Sequence, residues 1–178
     1  LDERGSWEGL QLDLGQVISV APRTCYPSRA WERTPVQQAP DLSEREVLVE
    51  YAAHEAACFH LPGGKRLPVA RLEDRRQAGV LRVVEPDRQE VKFLALEKGT
   101  RRPVPVKLHV HGAEGEYLPP IDHHRAINPG TAEDYGAEHL HEGRHAGAYI
   151  SGEADLRLPL GRVYLEVSKG FEIRPFRK

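Results

Sequence analysis

Residues 148–178 read AYISGEADLRLPLGRVYLEVSKGFEIRPFRK, and their side-chain pattern decides the fold class. Leu156, Leu158 and Leu160 alternate with Asp155, Arg157 and Pro159, and beyond Gly161 the residues Val163, Leu165 and Val167 alternate with Arg162, Glu166 and Ser168. A period of two sends successive side chains to opposite faces of a strand, so each run is expected to be half buried and half solvated. Pro159-Leu160-Gly161 has the chemistry of a turn, because proline fixes φ and glycine accepts positive φ. Lys169-Gly170 closes the second run, and Phe171, Ile173 and Phe176 begin a third, whose Pro175 gives it edge character. The stretch reads as a meander of antiparallel strands within a β-sandwich.

Composition agrees with that class. The chain has 178 residues, 39% hydrophobic and 29% charged, enough for one ordinary domain or two small ones. Fourteen prolines and sixteen glycines favour many short strands joined by turns. A net charge of −2 offers no field for nucleic acid or an anionic membrane, and no apolar run approaches the roughly 20 residues of a membrane-spanning helix. The absence of methionine reads as a processed form or an excised fragment. Of the two cysteines, Cys58 sits among Ala56, Ala57 and Phe59 and reads as a small buried thiol, with a Cys25–Cys58 disulfide as the alternative.

Upstream, Leu10, Leu12 and Leu14 alternate with polar residues before Val17-Ile18-Ser19-Val20, giving one or two strands separated at Gly15. Pro22, Pro27, Pro35 and Pro40 make 21–43 a long loop. Tyr26 and Trp31 in that loop are candidates for stacking on a ring-shaped ligand; the alternative is that Trp31 pins the loop to a core. Val47, Val49 and Tyr51 alternate as a strand. His54 and Cys58 have helical i, i+4 spacing, and with His60 they raise a zinc site against a simpler metal-free turn. Strands are expected at 67–72, 79–84 and 91–96, and the charged, Gly- and Pro-containing KGTRRP segment marks a boundary between domains 1–98 and 99–178. In 104–111, Val104, Val106, Leu108 and Val110 share one face, and Pro105, Lys107, His109 and His111 the other.

Seven of the nine histidines lie between 109 and 145: His109, His111, His123, His124, His139, His141 and His145. A strand carrying His-x-His presents both imidazoles on one side, a geometry suited to a shared metal ion. His109-x-His111 followed by Glu116 resembles part of the first motif of cupins, which implies a divalent metal (zinc, manganese or iron) held by those residues. His139, His141 and His145 form a second possible ligand set. The alternative is a set of polar loops with solvated or hydrogen-bonded histidines, and the segment from 111 to 147 otherwise reads as long loops. The chain contains no nucleophile elbow, P-loop or dinucleotide-binding glycine motif.

REVLVEYAAHEAACFHLPGG at 45–64 and PVKLHVHGAEGEYLPPIDHHRAINP from Pro105, followed by GEADLRLPLGRVYLEVSKGFEIRP, resemble the region preceding the catalytic domain in carbaryl-hydrolase-like (CehA/McbA-type) metallohydrolases of the PHP superfamily. The C-terminal half is also similar to carboxypeptidase-regulatory, transthyretin-like domains. The resemblance implies two small antiparallel β-sandwich domains with long loops, the second transthyretin-like. It implies that the chain itself is not an enzyme and needs no cofactor, because the family's Asp-x-His-x-His type motif is missing here. The expected role is accessory: docking to the catalytic domain of a parent hydrolase, shaping its entrance, or associating with another copy of the chain. A His-bound metal protein and a carbohydrate-binding sandwich using Trp7, Tyr26 and Trp31 are the alternatives.

Overall fold

The computed structural model describes residues 10–27, 31–33, 40–61, 63–123, 139–141, 145–170 and 172–178, with backbone only at 77 and 139–141. Among the described residues the structure is mostly antiparallel β with one α-helix. Two compact units divide it, Leu1–Arg23 with Leu42–Val84, and Thr24–Asp41 with Glu85–Lys178. No helix among the described residues is long and apolar enough to cross a membrane.

In the first unit, β1 (Gln11–Cys25), β2 (Asp41–Leu61) and β3 (Lys65–Pro68) form a three-stranded sheet in that order. The break expected at Gly15 is a bend inside β1, where Leu14 takes a positive φ of 51°. Residues 54–58 continue β2 and form no helical turn. Four residues of strand span about 13 Å, which puts His54 and Cys58 out of reach of one ion. Residues 67–72 also differ from expectation, because the strand stops at Pro68 and helix α1 (Val69–Arg75) follows. Val69 and Leu72, one helical turn apart and each 4% exposed, fix that outcome by joining Ala57 and Phe59 in a small core. Hairpin β4 (Gln77–Ala78) and β5 (Leu81–Arg82) completes the unit. Both cysteines are free thiols.

The second unit contains β6 (Asp87–Leu94), β7 (Val106–Gly112), β8 (His139–His141), β9 (His145–Ile150), β10 (Glu153–Pro159), β11 (Val163–Ser168) and β12 (Phe176–Arg177). Strands order as β12-β11-β7-β9-β8 in one sheet, while β6 pairs with β10 in another. Val106, Leu108 and Val110 from β7 pack with Leu118, Ile150, Ala154 and Leu156 as the main core. The opposite face of β7 carries His109 and His111, so this central strand is buried on both sides.

Four expectations differ from the structure here. The two alternating runs at 156–167 do not pair with each other. β10 joins β6 and β11 joins β7, so the Pro159–Gly161 turn carries the chain from one sheet to the other. Glu166 is not solvated but 6% exposed, because β11 lies between β7 and β12 and its second face is covered too. The third run shrinks to β12, with Ile173 50% exposed and Phe171 outside the described residues. The domain boundary expected at 98/99 assigns β6 to the first domain, whereas its pairing with β10 places it in the second unit.

Candidate metal centre

The site is built on the inner face of β7 and on its two neighbours. Cross-strand register sets Tyr164 opposite His111 and Glu166 opposite His109. Residues directly opposite in an antiparallel pair share a face, so all four side chains project together. β9 brings His145 to the same place from the other flank. Gly147 makes room for this, since a Cβ there would lie 2.7 Å from the His109 ring. His109, His111 and His145 are 1%, 2% and 3% exposed. One nitrogen from each lies within 4.8 Å of the others, close enough to hold a metal ion.

Hydrogen bonds fix part of the tautomer pattern. The Ala146 carbonyl accepts from His109 Nδ1 at 2.8 Å and from His111 Nε2 at 3.0 Å. A carbonyl only accepts, so both of those nitrogens carry the proton and the other ring nitrogens carry the lone pairs. His145 Nδ1 is 2.8 Å from the Tyr26 hydroxyl. His111 Nδ1 and His145 Nε2 are buried without a hydrogen bond of normal length among the described residues, although the Gly115 backbone lies near His111 and Glu166 Oε2 is 3.8 Å from His145 Nε2. Each such nitrogen costs about 1–3 kcal/mol unless something binds it.

Electrostatics keep the donors ready. Burial, followed by the neighbouring His145 imidazole, pushes His109 down to about 2, and burial first of all pushes His111 down to about 3, so both imidazoles are neutral at physiological pH. A neutral imidazole is the metal-binding form. Burial alone would raise the Glu166 carboxyl, but the neighbouring His145 and Arg177 outweigh it and hold it at about 2. Arg177 Nε donates to Glu166 Oε2, and its guanidinium carbon sits 4.8 Å from the centre of the Trp31 ring.

The rings as placed form a stack. His109 and His145 lie 4.1 Å apart with planes 2° from parallel, and His111 lies 5.1 Å from His145. An imidazole lone pair lies in its own ring plane, so two parallel rings cannot both aim at one ion. Ligation requires one ring to turn about χ2, which is a broad, soft torsion for histidine.

Tyr26 and Trp31 cover this face. Tyr26 stacks on Tyr164 at 4.9 Å, and Trp31 donates from Nε1 to the Leu165 carbonyl at 2.9 Å. Trp31 is 4% exposed, and that bond ties its indole to the sheet. Glu116, grouped with His109 and His111 by sequence, lies on the turn after β7 and is not among the three residues whose ligand atoms gather within 4.8 Å. Its carboxylate accepts from the Glu114 N–H at 3.0 Å, and burial raises it to about 7. In the second set from sequence, His141 stands opposite His145 in the β8–β9 register, and only the backbone of His139 and His141 is described. His123 lies 3.7 Å from Asp122, while His124 and Trp7 fall outside the described residues. In the first unit, His60 is bound to Asp13 at 2.9 Å and His54 Nδ1 accepts from the Ala56 N–H.

Tyr164, Glu166 and Arg177 were not among the candidates from sequence. One signal pointed to the first two: they have the parity opposite to Val163, Leu165 and Val167, as His109 and His111 have the parity opposite to Leu108 and Val110. No family model, curated protein or solved structure matches this chain.

Proposed function

We propose that the second unit is a transthyretin-like β-sandwich module that binds one divalent first-row metal ion through His109, His111 and His145, and that the chain serves as a non-catalytic accessory region of a metal-dependent hydrolase. One observation carries the metal reading: three buried imidazoles gather their nitrogens within 4.8 Å of one another. Nitrogen donors of this kind suit zinc, with manganese and iron as further candidates. Magnitudes favour an ion over an empty cluster. Two buried nitrogens without a hydrogen bond of normal length cost at most a few kcal/mol, whereas a structural zinc ion in a small domain contributes on the order of 10 kcal/mol.

The burial of the donors supports a structural role. Catalytic metal sites keep one position open to water or substrate, but here the three rings are at most 3% exposed, with Tyr26 and Trp31 over them. Loading the purified chain with zinc, manganese or iron and dialysing it tests the reading by elemental analysis. One equivalent should remain in the wild type and be lost from H109A/H111A. A wild-type chain that retains none of the three ions overturns it. Assays against carbamates, esters and phosphoesters should show no hydrolysis, and metal-dependent turnover would refute the accessory role.

A further inference from the structure

Glu166 lies outside the three histidines yet faces two of them. Its Oε1 is 4.0 Å from His109 Nε2, and its Oε2 is 3.8 Å from His145 Nε2. These separations are too long for hydrogen bonds. The Oε1–His109 separation is within about 1 Å of the spacing of donors around a shared ion, since bonds of about 2.0–2.1 Å in a tetrahedron set neighbouring donor atoms about 3.4 Å apart. The His109 proton is committed to Ala146 through Nδ1, so Nε2 turns a lone pair toward a carboxylate oxygen. Two electron-rich atoms facing each other in a buried site repel, and a cation between them reverses the sign.

Arg177 occupies Oε2 and leaves Oε1 directed at His109. Its own side chain, 5% exposed, is fixed by the Glu166 carboxylate and the Trp31 ring. Glu116, the acid at cupin-like spacing from His109 and His111, is occupied with the Glu114 N–H on its own turn. Resting on the three-histidine reading, we infer that Glu166 is the fourth donor of the metal centre, binding through Oε1, and that Arg177 is a positioning residue that orients the carboxylate through Oε2. The resulting set of three imidazoles and one carboxylate is closed, and it selects borderline and hard divalent ions such as zinc, manganese and iron over soft copper(I).

The test uses the full chain loaded with cobalt(II) as a spectroscopic probe, together with zinc titration against a chromophoric chelator. E166Q should weaken zinc binding by about 100-fold or more and change the shape of the cobalt visible spectrum. E166H, which restores a donor of similar reach, should recover most of the affinity. R177M should weaken binding by about tenfold, as loss of an orienting partner does, with the cobalt spectrum unchanged in shape. E166Q binding with wild-type affinity and spectrum overturns the inference and leaves the three-histidine reading intact. A wild type that takes up neither ion overturns both. Where E166Q does not fold, the infrared difference spectrum of the wild type on loading decides: a shifted carboxylate band supports the assignment and an unchanged one refutes it.

Discussion

Strand β7 is buried on both faces, but different forces hold the two faces. Val106, Leu108 and Val110 are held by burial against Leu118, Ile150 and Leu156, an interaction without direction that scales with area. On the alternate positions of the same strand, His109 and His111 are held by bonds to one carbonyl, beside a Glu166–Arg177 pair. The first face should tolerate changes of shape at constant volume and be indifferent to pH. The second should fail when a single proton or partner is lost.

Acid therefore separates the faces with the largest expected effect. In the metal-free protein, His109 and His111 are depressed from 6.5 to about 2 and about 3, so the stability they confer is full above pH 6.5 and falls as the pH drops toward those values. Glu116 opposes them: raised from 4.5 to about 7, it holds a proton in the folded state that the unfolded chain has released, and its contribution is lost as pH rises through that window. Between pH 6.5 and 4.5, unfolding then takes up about one net proton, a slope of about 1.4 kcal/mol per pH unit. Below 4.5 the Glu116 difference vanishes and Glu166, held at about 2, joins the histidines. The slope rises to about three protons, or about 4 kcal/mol per pH unit. Urea titrations across pH should show this bend, and E116Q should steepen the upper limb to about two protons. A single uniform slope would break the comparison.

Substitutions sharpen it next. Arg177→Met leaves the Glu166 carboxylate buried without its counter-charge and should cost about 3–5 kcal/mol. Adding Glu166→Met should recover most of that loss, because replacing both members of a buried pair with apolar groups is close to neutral. Leu108→Ala, at a residue 1% exposed, should cost about 2–5 kcal/mol through lost contact and a residual cavity, with no change in the pH slope. Equilibrium denaturation at pH 7 and pH 5 measures all three. An Arg177→Met loss that the second change fails to recover would mean that Arg177 acts by packing alone.

Legibility in the sequence follows the same division. Where burial alone shapes a strand, the pattern shows it: the aliphatic alternation of β7 and β10 was readable, and so was the common side shared by His109 and His111. Strand β9, HAGAYI, was not readable, because alanine and glycine give no contrast between faces, and it is that strand which brings His145 to the site. Glu166 reads as solvent-facing because a charge without visible neighbours belongs in water, and only the register with His109 and the reach of Arg177 explain its burial. Helix α1 was hidden because Leu67 and Val69 alternate as in a strand, and the Val69–Leu72 spacing is its one helical signal. Sheet order lay beyond the sequence altogether, since a Pro-Leu-Gly turn does not say whether the next strand stays in its sheet.

The smallest test concerns one oxygen atom. The Tyr26 hydroxyl meets His145 Nδ1 at 2.8 Å, and burial, with Glu166 and Glu116 nearby, pushes the phenol far above its usual range, so it keeps its proton. A hydroxyl both donates and accepts, so Tyr26 satisfies Nδ1 in either tautomer of His145. Tyr26→Phe preserves the ring that stacks on Tyr164 and removes only that bond. If the histidine face depended on packing alone, as the aliphatic face does, the change would be neutral. A directional face predicts a loss of about 1–2 kcal/mol, the cost of leaving one buried nitrogen unsatisfied. Thermal melts of the metal-free protein at pH 7 should resolve that difference, and coincident melting curves would assign the cover over the histidines to packing alone.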